Sequence, residues 1–297
     1  MKKLIICIRF SVRMGTIGID IGGSYIKAVD YRGRRFKVKN PGNFADLIKT
    51  LKDISKNYNK VGVAVAGFVN RKGFVYESPN ISYINGKRIS IAGKKTVVAN
   101  DATLACYGEV MFGSAKKWSK SGVVVCITLG TGLGGGLVID GKPFLGADGV
   151  SMEIGHIPLT EDKTRVCSCG RYGCTEEYVS SRAIVRYYKE ITGNELTPEE
   201  IVSRANGGQA DALESLKKFA LYSSKVIQIL SHIFNPNAIV ISGGVIHHFP
   251  KVYNFIDDFI RTTLIKPIYK TLRIVPAKLG EFSGAYGALG FAQRINS

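Results

Sequence analysis

Acidic residues are scarce in this chain: 23 Asp and Glu stand against 41 Lys and Arg in 297 residues, giving a formal net charge of +18. Such an excess permits a polyanionic partner. The basic residues are scattered, however, as Arg32, Arg34, Arg35, Lys37 and Lys39, then Lys116, Lys117 and Lys120, then Lys217 and Lys218. No helix-turn-helix or aromatic RNA-binding strand motif accompanies them, so they read as solvated surface charge and no nucleic-acid partner is expected. Long apolar runs are missing too. None approaches the roughly 20 residues of a membrane-spanning helix, and no membrane partner is expected. The opening MKKLIICIRFSVRM is interrupted by Arg9 and Arg13 and lacks a small-residue cleavage site, which argues against secretion and for a cytoplasmic protein. Because strand-like sequence starts only after Met14, residues 1–13 read as an extension or a misassigned start.

What is present suffices for a large core: 45% of the residues are hydrophobic. Two α/β domains are expected. Cysteine is concentrated in one place. Cys167, Cys169 and Cys174 crowd around Gly170 and Gly173, and His156 precedes them, in the pattern H-x10-C-x-C-x4-C. Three thiolates and an imidazole complete a tetrahedral zinc shell with no open position, so the expected metal is structural. A disulfide would leave an odd thiol, and idle thiols beside an unrelated histidine are the plainer alternative.

Glycine punctuates the chain at informative points. Thr16 to Asp20 is strand-like and ends in Gly22-Gly23-Ser24, where glycines let backbone approach a phosphate and Ser24 adds a hydroxyl. It is not a Walker A sequence. Phe44 to Tyr58 has helical spacing, and Val61 to Ala66 is an apolar strand ending at Gly67, with Pro79-Asn80 in the loop beyond. Thr96 to Ala99 runs into Asn100-Asp101 and a helix from Ala102 to Phe112. That junction suits either a ligand-facing carboxylate or a plain helix cap. Strand, glycine loop and strand recur at Val123 to Asp140 through Gly130, Thr131 and Gly132. Later segments are mostly helical, with a capping box at Thr197 to Glu200, a long helix from Asp211 to Phe234, and a third turn at Ser242-Gly243-Gly244. His232, His247 and His248 read as surface or helix-end residues.

Glu153-Ile154-Gly155-His156, read as E-x-G-H, and Cys167 to Glu176, read as C-x-C-G-x-x-G-C-x-E, resemble the signature of the ROK family of sugar kinases and sugar-responsive repressors. The resemblance extends along almost the whole chain from Met14. It implies a two-domain α/β fold of the actin-like ATPase and sugar-kinase type (ribonuclease H-like), with the structural zinc held by His156, Cys167, Cys169 and Cys174. The expected division is a small domain of residues 14–112 with the helix 283–297, and a large domain of 113–282 carrying the loop 150–177. Asp101, in A-N-D-A, would be the catalytic base. Gly67, Asn80, Asn100, Asp101, Glu153, His156 and Glu176 would hold a hexose. Asp20 would lie near Mg2+, with Gly22, Gly23, Ser24, Gly130, Thr131 and Gly132 around the ATP phosphates and Gly243 and Gly244 beside adenine. One departure is Ala66, where relatives carry proline before the glycine. The implied reaction is ATP-dependent phosphorylation of the 6-hydroxyl of glucose and of related hexoses such as mannose, glucosamine and N-acetylglucosamine. An N-acetylhexosamine or fructose kinase is the neighbouring possibility. A repressor would carry several dozen DNA-binding residues ahead of the first glycine loop, where this chain has thirteen before Met14. Similar proteins are usually homodimers.

Overall fold

Two sheets of five strands each form the framework of the computed structural model, which describes residues 15–161 and 163–294. The expected extension at 1–13, with Cys7, and the last three residues of the expected C-terminal helix lie outside them. In the first sheet, β1 (Thr16–Ile21), β2 (Tyr25–Asp30), β3 (Arg35–Lys39) and β4 (Lys60–Val65) are joined, after a small separate hairpin of β5 (Phe68–Val69) and β6 (Val75–Glu77), by β7 (Lys95–Asn100). Their order is β3-β2-β1-β4-β7. The second sheet comprises β8 (Val123–Leu129), β9 (Leu133–Ile139), β10 (Lys142–Pro143), β11 (Ala238–Ser242) and β12 (Arg273–Pro276), ordered β10-β9-β8-β11-β12. In both, the first three strands meander antiparallel and the other two add in parallel. The strand and glycine-turn repeat read from the sequence is thus the start of a repeated whole sheet.

Parallel neighbours require crossovers, which helices supply. Helix α1 (Phe44–Ser55) joins β3 to β4, with Asn43 capping its first turn by accepting from the Asp46 N–H and Leu47 and Leu51 buried. Helix α2 (Asp101–Met111) follows β7 directly. Helices α3 (Ser181–Thr192), α4 (Pro198–Asn206) and α5 (Ala210–Phe234) separate β10 from β11, and α4 starts in the Thr197–Glu200 capping box that the sequence spacing predicts. Helices α6 (Gly244–His248), α7 (Val252–Thr263) and α8 (Lys266–Thr271) separate β11 from β12, and α9 (Ser283–Gln293) closes the chain's described part.

Strand alternation divides the second sheet's two faces. Val125, Ile127 and Leu129 of β8 enter the large core with Leu216, Phe219 and Ile227 of α5, while Val124 and Cys126 face Cys106, Tyr107 and Val110 of α2. Helix α9 packs on β1, β4 and α2. Its small residues allow very close approach: a Cβ on Gly18 of β1 or Gly62 of β4 would lie 2.1 or 1.9 Å from α9 backbone. The pair α2 and α9 is therefore enclosed, and nine of the eleven residues of α2 are buried. Among the described residues, no helix is long and apolar enough to cross a membrane.

Candidate functional site

The end of β7 and the start of α2 share a corner. Asn100 caps α2 by accepting from the Thr103 N–H at 3.0 Å, and its amide donates to the Gly67 carbonyl at 3.1 Å. One side chain thus fixes both the helix start and the loop after β4. The Asp101 carboxylate, first in the helix, accepts from the Ala102 N–H at 2.9 Å. Desolvation raises its pKa to about 6, with that backbone bond opposing the rise.

Two cavities meet at this corner, and a third opens beyond the Gly130 turn. The first, about 310 Å³, is walled by Gly67, Asn80, Asn100, Asp101, the Gly130–Gly135 stretch, Met152, Glu153, His156 and Glu176. A second, about 280 Å³, shares Asp101, Thr128 and Gly130 with it and adds Asp20, Lys27, Gly243, Gly244, Glu281 and Ser283. The third, about 640 Å³, shares Leu129, Gly130 and Gly244 with the second and reaches Pro198, Glu199, Asn206 and His248. Asp101 stands where the first two join, and the Gly130 turn touches all three.

The second cavity gathers charge of both signs. Burial raises Asp20 to about 7, the Asp101 charge adds to this, and Lys27 counteracts it. Lys27 also approaches Glu281 at 3.7 Å, and Lys37 binds the same carboxylate at 2.8 Å. Gly243 sits at φ 142°, and a Cβ there would fall 1.9 Å from the Leu129 carbonyl oxygen, so only glycine fits this turn. Glu109, buried in α2, accepts from the Lys278 and Leu279 N–H groups at 2.9 and 2.8 Å and from the Ser114 N–H and hydroxyl at 2.9 and 3.1 Å. It ties α2 to the segment that carries Glu281 and Ser283.

Glu153 is presented by a tight turn. Its φ of −74° and ψ of 56°, with the Ile154 N–H donating to the Met152 carbonyl at 2.7 Å, make it the centre of an inverse γ-turn. Met152 before it has φ 61°, a left-handed conformation costing a non-glycine residue roughly 1–2 kcal/mol. Burial first, then the charges of Asp101 and Glu176, raise Glu153 to about 7. Glu176 is anchored more firmly, accepting from the Leu133 N–H at 3.0 Å and pairing with Arg182 at 2.8 Å.

The cysteine cluster lies behind His156. Its Nδ1 is 3.6 Å from the Cys167 sulfur, the Cys169 and Cys174 sulfurs are 3.7 Å apart, and all four ligand atoms lie within 4.8 Å of one another. Ligands about 2.3 Å from a tetrahedral zinc stand about 3.8 Å apart, so spacing and donor chemistry both fit the metal.

A family model described as "ROK family" matches residues 16–295. The chain belongs to the ROK family. A glucokinase from Streptomyces coelicolor is 32% identical over 314 residues, covering 94% of this chain and 97% of that one. An N-acetyl-D-glucosamine kinase from Pectobacterium atrosepticum is 28% identical over 298 residues, covering 91% and 96%. Among solved structures, a ROK family glucokinase from Streptomyces griseus in complex with glucose and AMPPNP is similar at TM-score 0.79 and 31% identity, covering 94% of this chain and 99% of that one. The two mixed sheets are thus an α/β ROK sugar-kinase fold.

Of the residues expected from the ROK resemblance, Gly67, Asn80, Asn100, Asp101, Glu153, His156 and Glu176 all wall the first cavity. Asp20, Gly130, Gly243 and Gly244 wall the second, and Thr131 and Gly132 line the first. Gly22, Gly23 and Ser24 line none of the three. That turn is clamped by Asn40, whose amide donates to the Gly22 carbonyl at 2.8 Å and whose N–H donates to the Ser24 carbonyl at 2.9 Å. Gly23 backs onto Asn80, where a Cβ would lie 3.2 Å from the Asn80 carbonyl oxygen. Lys27, Thr128, Glu281, Glu199 and His248 are wall residues that the sequence reading did not assign to a site. Lys27 leaves a readable signal, a lone cation between buried Ile26 and Ala28 in strand β2.

Proposed function

We propose that this ROK protein is an ATP-dependent hexose kinase acting on the 6-hydroxyl of glucose and related hexoses. The carrying observation is the position of Asp101 at the junction of two cavities, one rimmed by hydrogen-bonding side chains and the other by glycine turns, Asp20 and Lys27. The sugar would occupy the first cavity, the phosphates the second and adenine the third. On this reading the chain divides into a small domain of residues 14–112 with the C-terminal helix and a large domain of 113–282, ligands binding between them.

The chemistry follows from the groups present. A sugar hydroxyl is a poor nucleophile, and Asp101 takes its proton as it attacks the γ-phosphorus, help worth about 10²–10⁴ in rate. A base with pKa about 6 is ionised at neutral pH yet still basic enough to serve. Turnover therefore rises with pH through about 6 as Asp101 loses its proton. Alignment contributes further, because phosphoryl transfer asks the protein mainly for positioning and charge stabilisation. Glu153, His156 and the Asn100 corner fix the sugar ring, while the anchored Glu176 holds the Leu133 end of the second glycine turn. Lys27 and the backbone of Gly130 and Gly244 face the phosphates. Asp20 would lie near the Mg2+ that accompanies the nucleotide, which would supply neutralisation of phosphate charge. His156, Cys167, Cys169 and Cys174 would hold zinc, which would stiffen the loop that presents Glu153 and His156.

A coupled assay with ATP and glucose, mannose, fructose, N-acetylglucosamine and N-acetylmannosamine tests the reading. Glucose phosphorylation is expected. Sugar binding with no phosphorylation of any member, together with sugar-sensitive DNA binding, would replace the kinase by a repressor.

A further inference from the structure

The left-handed backbone at Met152 is a strained point in the first cavity that the proposed chemistry does not use. Glycine adopts such a φ freely, whereas a side chain there crowds the backbone. The chain nevertheless carries a long thioether at φ 61°. A contact of the side chain, not a need of the backbone, is what this residue offers. Met152 packs on the large apolar core and also walls the sugar cavity.

Strand β9 fixes which wall it forms. A Cβ on Gly134 would meet the Ala102 side chain at 2.9 Å, and one on Gly136 the Ala102 carbonyl oxygen at 2.7 Å. One on Gly135 would instead meet the Met152 carbonyl oxygen at 2.5 Å. Met152 therefore stands across the strand from the helix end that bears Asp101. In a pyranose ring C2 lies opposite C5, the carbon that carries C6. A hexose whose 6-hydroxyl reaches Asp101 turns its C2 substituent away from α2.

We propose that Met152 is a specificity-determining residue, forming the wall that admits a hydroxyl at C2 of the hexose and obstructs an acetamido group. The inference rests on the hexose 6-kinase reading and names which hexoses it prefers. A first cavity of about 310 Å³ is at the small end of ligand pockets, so one thioether matters to what fits. Methionine is flexible, so the obstruction is graded: N-acetylglucosamine is a slow substrate, not an excluded one.

Steady-state kinetics of Met152→Gly and Met152→Ala with glucose and N-acetylglucosamine test this. The ratio of kcat/KM for N-acetylglucosamine over glucose rises by about tenfold or more in both. Met152→Leu, which keeps the bulk, keeps the wild-type ratio. Glycine suits the backbone at this position, and the alanine variant provides a second reading should packing loss unfold the first. An unchanged ratio in either folded truncation overturns the proposal. Calorimetric binding of the two sugars without nucleotide separates it from the kinase reading. A wild type that binds both but phosphorylates neither contradicts the kinase, while the ratio of dissociation constants in the variants still decides the role of Met152.

Discussion

The two sheets share one strand order and direction pattern but contribute different chemistry. The first delivers charge: Asp20 on β1, Lys27 on β2, and Asp101 just past β7. The second delivers mainly backbone, in the Gly130–Gly132 turn between β8 and β9 and the Gly243–Gly244 turn after β11. The corresponding turns have diverged as well. The turn at Gly22–Ser24 is clamped by Asn40 and backs onto Asn80, whereas the turn at Gly130–Gly132 reaches all three cavities and is pinned through Leu133 by Glu176. Repetition of a topology therefore fixes where a turn sits, and the side chains packed around it decide what it touches.

The sharpest way to break this comparison is to remove charge from the first sheet's contribution. Asp101→Asn is expected to lower kcat by about 10²–10⁴ while glucose affinity stays within a few fold, measured by coupled assay and calorimetry. Retained turnover would transfer the base role elsewhere. The backbone contribution is tested by a methyl group: Gly243→Ala forces a Cβ to within 1.9 Å of the Leu129 carbonyl oxygen at φ 142°. Strain of that kind costs about 1–3 kcal/mol, and KM for ATP should rise by about tenfold. Ser24→Ala in the first turn should change KM for ATP by less than about threefold, and equal effects at both positions would erase the contrast between the turns.

Cys169→Ser comes next in size. The native protein should carry one zinc by elemental analysis. The variant should lose it, with weaker sugar binding and a Tm lower by roughly 4–12 °C, since each kcal/mol is worth about 2–4 °C at this size and a loss of about 2–3 kcal/mol is expected. A zinc-free native protein would contradict the structural-metal reading. A pH-dependent effect concerns Asp20, whose pKa of about 7 in the fold exceeds its ordinary carboxylate value. A raised pKa means that folding favours the protonated form. Its stabilisation is complete below about pH 4 and is lost as pH rises through about 7. Asp20→Asn does not titrate, so without nucleotide the Tm difference between variant and wild type should move in the variant's favour from pH 5 to pH 8. A constant difference would show that Asp20 is not held in that state.

Much of this site was legible because its residues cluster in short stretches. Glu153, His156 and the three cysteines fall within 22 residues of sequence, and Asn100-Asp101 marks a strand-to-helix junction. At that junction the cap reading holds for Asn100, whose side chain accepts from Thr103 at the start of α2 and also donates to the Gly67 carbonyl. Long-range pairing was not legible. The ion pair of Lys27 with Glu281 joins β2 to the turn before α9, and Glu109 finds two of its donors about 170 residues away. Helix α2 is buried almost all round, so no polar face marked its place between the sheets. The Met152 conformation was equally hidden, because no residue pattern announces a left-handed methionine.

Phosphorus NMR of the product mixture from glucose and MgATP tests the central claim most directly. The wild type is expected to produce glucose 6-phosphate, with Asp101→Asn leaving ATP and glucose unchanged over the same interval. Phosphate at another position of the sugar, or equal product from the variant, would contradict the placement of Asp101 between the sugar and nucleotide cavities.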